Sequence, residues 1–247
     1  MRCPPALLAL AMLLCTLPAP AQEMRAPGVA EQDSRRIVDI STPPWNSVAR
    51  VQTNIGGKCS GTVIGARLVL TAAHCLYNPR TRRLLEAGSL HVLLGYERGQ
   101  YKTHLTVEAL HVPPAYDGTR PGSSLRHDWA LLRLSGPAPV PALAPAGRAA
   151  APGEAVAVAG FSQDRVHLLM ADRDCAVLSQ SRLTQPAATL VFHNCSASRG
   201  TSGGPLLVRI GDAWRVGGVN VGITDGKGNL ALWPDGLDAA IASLSGP

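Results

Sequence analysis

The run Gly200-Thr201-Ser202-Gly203-Gly204-Pro205 sets a serine between glycines. Glycine flanks let the backbone turn sharply and leave the hydroxyl accessible. They also let neighbouring backbone N–H groups aim at one point, as the oxyanion of an attacked carbonyl requires; the candidate donors are Gly200 and Ser202. The chemistry implied is nucleophilic attack by Ser202, and a serine hydroxyl needs a base to become a useful nucleophile.

Order along the chain narrows the choice of base. A Gly-x-Ser-x-Gly run also marks the nucleophile elbow of α/β-hydrolases, where the serine comes first and the histidine last. This chain has seven histidines, and every one precedes Ser202. That leaves the order His, acid, Ser. His74 stands in Leu70-Thr71-Ala72-Ala73-His74-Cys75, at the end of an apolar strand. Cys59 lies sixteen positions before Cys75, within Cys59-Ser60-Gly61-Thr62. A bridge between the two would close a hairpin behind the histidine and contribute about 3 kcal/mol in the chain-entropy model. His91, His104, His111, His127, His167 and His193 have no such setting and read as surface or structural residues.

The group that orients the base is assigned to Asp128, in His127-Asp128-Trp129-Ala130-Leu131-Leu132. A carboxylate opening so apolar a strand is partly buried and needs a partner, which the His74 imidazole would supply. Asp117 is the rival, but Tyr116-Asp117-Gly118 reads as a solvated turn.

These residues must be positioned by short β elements. Apolar segments separated by Gly, Pro, Asn and Asp recur through the chain: Val48 to Thr53, Gly61 to Ile64, Arg67 to Thr71, Leu90 to Leu94 and Trp129 to Leu134. Their lengths and turn signals favour strands. A Pro/Ala-rich stretch over 136–152 reads as an extended crossover. A second set follows: Ala155 to Ala159, Cys175 to Ser179, Thr189 to Phe192, Gly204 to Arg209 and Arg215 to Val221. The expected architecture is all-β: one unit over about 37–135, a second over about 153–233, and a short C-terminal helix over about 235–245.

Residues 1–21 have the layout of a secretory signal. Arg2 is the positive start, Ala6 to Leu17 the apolar run, and Ala19-Pro20-Ala21 the small-residue cleavage site. The apolar run is too short to span a bilayer, which takes about 20 residues. Residues 22–36 are polar, contain Pro and Gly, and read as a flexible leader or propeptide ending in Arg35-Arg36. Without Cys3 and Cys15 the exported chain keeps Cys59, Cys75, Cys175 and Cys195, an even number with three possible pairings. An exported product is extracellular or periplasmic, with no membrane contact once the signal is gone, and is a monomer by default. None of the four is in a Cys-x-x-Cys pair, so no metal site is expected. The formal charge is +6 at pH 7, but the cations are scattered. Arg80, Arg82 and Arg83 form the densest cluster and lack the interleaved aromatics of a nucleic-acid site.

Taken together, the Cys59–Cys75 stretch, the strand opened by Asp128 and the Gly200–Pro205 segment resemble the three signature blocks of chymotrypsin-type, trypsin-like serine proteases. The likeness covers about Ile37 to Leu244 and is closer to bacterial secreted members such as the glutamyl endopeptidases than to animal trypsins, given where Cys195 stands before Ser202. The resemblance implies two packed six-stranded antiparallel Greek-key β-barrels within a peptidase domain over 37–247. It implies His74, Asp128 and Ser202 as catalytic triad, bridges Cys59–Cys75 and Cys175–Cys195, peptide or protein substrates, and no cofactor. The specificity pocket would be walled by Ser196, Ala197 and Ser198 and by Asn220 and Gly222. The wall offers neither the carboxylate of Arg/Lys-specific enzymes nor the histidine of Glu-specific ones; Asn220 stands at the latter's place. Two rival readings keep the fold: an inert protease-like binding protein, and an esterase.

One departure from trypsins concerns activation. Arg35-Arg36-Ile37-Val38 looks like a zymogen cleavage site, and in trypsins the freed ammonium pairs with an aspartate before the nucleophile. Here Thr201 occupies that place, and a buried ammonium without a carboxylate costs several kcal/mol. Cleavage after Arg36 is therefore expected to trim a leader and not to act as a strict switch. The alternative is that another acid, such as Asp225, receives the ammonium.

Overall fold

The computed structural model describes residues 26–184, 187–224 and 228–244. The signal segment, the first residues of the leader and Asp225 lie outside the described residues. The first barrel comprises β1 (Val48–Thr53), β2 (Lys58–Gly65), β3 (Leu68–Thr71), β4 (Leu90–Leu94), β5 (Thr103–His111) and β6 (Ala130–Leu134). It closes in the order β1-β2-β3-β6-β5-β4, every neighbour antiparallel. The second comprises β7 (Ala155–Gly160), β8 (Met170–Thr184), β9 (Ala187–His193), β10 (Pro205–Ile210), β11 (Ala213–Thr224) and β12 (Gly228–Pro234). Its order is β8-β7-β10-β11-β12-β9, and pairing of β8 with β9 closes it. The helix α1 spans Leu237–Leu244. The two-barrel architecture and terminal helix expected from the sequence are those observed.

Both barrels close because alternate side chains share an apolar interior and closure removes sheet edges. Leu70, Leu131, Leu132 and Leu134 are buried in the first barrel, and Leu206, Leu207 and Leu232 in the second. The crossover carries no regular strand. It runs over the barrels on backbone bonds, with Leu143 N–H donating to the Val63 carbonyl at 2.8 Å and Ala146 N–H to that of Val216 at 2.9 Å.

Two of the barrel strands escaped the sequence reading, Thr103–His111 and Gly228–Pro234. The first is largely solvent-facing and has a weak apolar pattern, while the second is bounded by the Gly and Pro that usually mark loops. A third difference concerns the leader. From residue 26 onward it is not a free tail. Arg36 and Ile37 pair with Ala171 and Met170 of β8, and Arg35 is buried. The reason is long-range: backbone groups and one guanidinium of the leader find partners more than a hundred positions away, on the second barrel, which composition alone does not reveal.

Candidate active site

His74 and Asp128 meet because their strands are neighbours. β3 pairs with β6, with Thr71 opposite Ala130. His74 follows Thr71 by three positions, on a single 3₁₀ turn over Ala73–Leu76, and Asp128 precedes Ala130 by two, after the turn Leu125–His127. The two residues thus leave the same end of the same strand pair. The His74 ring Nδ1 lies 2.7 Å from Asp128 Oδ2, and the His74 backbone N–H donates to Asp128 Oδ1 at 2.8 Å. Asp128 is buried, whereas the His74 side chain is one-third exposed. With Nδ1 engaged, Nε2 is the ring nitrogen left to act.

Burial disfavours the His74 cation, but the hydrogen bond to Asp128 and the carboxylate's charge outweigh it, so the pKa lies above the ordinary histidine value. Asp117, the rival acid, is occupied elsewhere: Thr119 and Arg120 hydrogen-bond its carboxylate and hold its pKa down at about 2.

Ser202 reaches the same seam from the second barrel. Its carbonyl accepts the Ser60 N–H of β2 at 2.8 Å. Ser60 follows Cys59, and Cys59 is bonded to Cys75, the neighbour of His74. Ser202 and His74 are therefore tied through one hydrogen bond and one disulfide. Around the serine the backbone needs its glycines. Gly200 and Gly203 have φ of +93° and +81°. A Cβ on Gly203 would sit 2.2 Å from the Ser60 carbonyl oxygen, and one on Gly200 2.4 Å from that of Phe161. Among the described residues neither the Gly200 nor the Ser202 N–H has an acceptor, while Gly203 N–H donates to the Asn220 carbonyl at 2.7 Å. Two donors beside the hydroxyl are thus left for a ligand.

The expected pocket residues are gathered beside this loop. Ser196, Ala197, Ser198 and Asn220 are buried, and Gly222 is half-buried beside open space. The hydroxyl of Ser198 donates to Asp164 at 2.6 Å, and that of Ser196 accepts the Ala30 N–H at 3.1 Å. Asn220 acts through its backbone, donating to the Gly204 carbonyl at 2.9 Å. The second disulfide joins Cys175 to Cys195 at the root of this segment.

Three residues bonded to this loop or its support were not read from the sequence in that setting: Ser60, whose hydroxyl bridges the barrels, Asp164, and Arg35. The sulfurs of Cys59 and Cys75 and a His74 nitrogen lie within 4.8 Å of one another, but both sulfurs are spent in the disulfide, so this trio does not suit a metal. A concavity lined by Arg148, Arg182, Trp233 and Asp235 lies apart from this site, with none of His74, Asp128 or Ser202 in its lining.

Residues 59–219, well over half the chain, match the trypsin-like peptidase domain. The chain belongs to the trypsin-like peptidase family. Serine protease 23 of Bos taurus is 26% identical over 68% of this trypsin-like chain and 47% of its own length. CLIP domain-containing serine protease B10 of Anopheles gambiae is 33% identical over 37% of the chain and 29% of its own. Glutamyl endopeptidase of Bacillus licheniformis is 26% identical over 44% of the chain and 33% of its own. The trypsin-like chain thus spans less than half the length of these curated relatives. A solved structure of a Glu endopeptidase in complex with MPD superposes with a TM-score of 0.68 over 87% of this chain and 99% of that one, at 18% identity. At that identity the match speaks for the fold, which is the one described above.

Proposed function

We propose that the protein is an exported serine endopeptidase acting through an acyl-enzyme. Ser202 attacks the peptide carbonyl while His74 Nε2 takes its proton and later returns it to the leaving amine. Asp128 fixes the imidazole so that Nε2 is the basic nitrogen, and the N–H groups of Gly200 and Ser202 hold the oxyanion. The observation that carries this reading is the two-point grip of Asp128 on His74, at the ring and at the backbone, beside a serine flanked by two unengaged N–H donors. Export is supported by the signal-like layout of residues 1–21 and by two disulfides, which persist in oxidising compartments.

Ser202→Ala is expected to lower peptide turnover by about 10⁴- to 10⁶-fold, the scale of triad deletions. The fold should persist, since Ser202 is only partly buried and its carbonyl bond to Ser60 does not involve the side chain. A fluorophosphonate should label the unaltered protein and not the variant. Digestion of a diverse peptide library, read by mass spectrometry, would give the side-chain preference at the same time. Equal turnover in the variant would overturn the assignment.

A further inference from the structure

A chain of bonds runs from the leader to the nucleophile loop. Arg35 is 4% exposed at its side chain and donates to both oxygens of Asp164, at 3.1 and 2.5 Å. Its Nε and Nη2 also reach the two oxygens of Asp33, each at 2.9 Å. Asp164 in turn accepts the Ser198 hydroxyl at 2.6 Å. The turn carrying Asp164, over Gln163–Arg165, supports the next residues as well: Gln163 N–H donates to the Arg199 carbonyl at 2.6 Å, and Ser162 Oγ lies 2.9 Å from Thr201 Oγ1. A planar guanidinium matches a carboxylate in two parallel bonds, which fixes orientation as well as charge. The leader touches the same wall again where the Gly28 carbonyl accepts the Ala197 N–H at 3.0 Å and the Asn229 amide at 2.7 Å.

We infer that residues 26–36 are a retained brace of the nucleophile loop, with Arg35 as its positioning residue. Arg35 holds Asp164, and Asp164 with its turn holds residues 198–201, so that Gly200 and Ser202 keep their N–H groups preset for the oxyanion. The buried cation that organises this loop thus comes from an internal arginine and needs no newly freed N-terminus. Cutting after Arg36 and losing the leader would remove that cation and leave Asp164 without its counter-charge. On this inference trimming after Arg36 would weaken the loop and would not merely remove a flexible leader. The inference rests on the proposed catalytic role of Ser202, and the brace itself is measurable without it.

The test compares the unaltered full chain with Arg35→Ala and Arg35→Lys, well below the unfolding temperature of each. Amide hydrogen exchange over 196–203 reads the brace, and fluorophosphonate labelling with kcat and KM reads its consequence. Arg35→Ala is expected to speed exchange and slow labelling, each by about tenfold or more, with the loss in kcat and little change in KM, as for weakened oxyanion stabilisation. Arg35→Lys keeps the charge without the fork and should fall between the two; it also serves if the alanine variant fails to fold. Millimolar ethylguanidinium should restore labelling in Arg35→Ala and leave the unaltered chain unchanged. Exchange and labelling in both variants that match the unaltered chain would overturn the brace. An unlabelled but intact starting protein, with faster exchange in Arg35→Ala, would sink the role of Ser202 and leave the brace standing.

Discussion

Ser60, on a strand of the first barrel, donates its hydroxyl to the Gly200 carbonyl of the second at 2.9 Å and accepts the Phe161 N–H at 2.8 Å. All three atoms belong to buried residues, so water has little access to replace the contact. The Gly200 carbonyl cannot turn without breaking it, and its peptide plane, which carries the Thr201 N–H bonded to Ser198, lies between the Gly200 and Ser202 N–H groups. Ser60→Ala leaves a buried donor and a buried acceptor without partners, a cost of about 1–3 kcal/mol. The expected result is a lower denaturant midpoint together with fluorophosphonate labelling slowed by about tenfold, less than the roughly 10²- to 10³-fold lost when an oxyanion donor is removed outright. A variant with reduced stability but unchanged labelling would show that Ser60 joins the barrels without setting the loop.

How far the sequence carried can be judged from such residues. The strands Val48–Thr53 and Leu90–Leu94 were readable to the residue and the helix Leu237–Leu244 to within two, because apolar runs ended at clear turn signals. The His74–Asp128 pairing was readable from strand ends, since each residue sits where an apolar run meets a polar loop. Ser60 was not, because a serine beside a cysteine carries no mark of what its hydroxyl will meet 140 positions later. Arg35 was misread for the same reason. A dibasic pair in a polar leader looks solvated until two carboxylates, one of them 129 positions away, are folded against it. Long-range polar bonds are fixed by the assembled barrels and leave no periodic trace.

The grip of Asp128 on His74 leads to a pH prediction. The His74 pKa lies above its ordinary value because the hydrogen bond and charge of Asp128 outweigh burial. Catalysis needs the neutral imidazole, so kcat/KM should climb with pH and its acid limb should have a midpoint above about 6.5. Asp128→Asn removes the charge and leaves burial unopposed, which should move that limb to lower pH. The amide would also donate to Nδ1 and favour the wrong tautomer, lowering kcat by about 10⁴-fold, the scale of the same exchange in the chymotrypsin triad. A limb midpoint that stays in place in Asp128→Asn would show that another group sets it.

His193 should govern stability in acid. It ends β9 and is fully buried, and among the described residues neither ring nitrogen has a hydrogen-bond partner. Burial pushes its pKa down to about 4, and the nearby Asn220 side chain and Asp172 charge oppose this only in part. The unfolded chain holds a proton on this residue up to about pH 6.5, so between that value and about pH 4 unfolding takes up a proton. The associated stability is present in full above about pH 6.5 and is lost as pH falls, reaching about 3 kcal/mol by pH 4. His74 has the opposite sign: its raised pKa adds stability below the unfolded value, which is lost as pH rises through the folded one. Both proteins in the comparison keep His74 and the carboxylates, so a difference between them isolates His193. Denaturant unfolding of the unaltered chain and of His193→Gln at pH 7 and pH 4 is the measurement. The unaltered chain should lose about 3 kcal/mol more than the variant over that interval. Equal losses would mean that the His193 ring accepts its proton inside the folded barrel, where Asp172 would have to stabilise it.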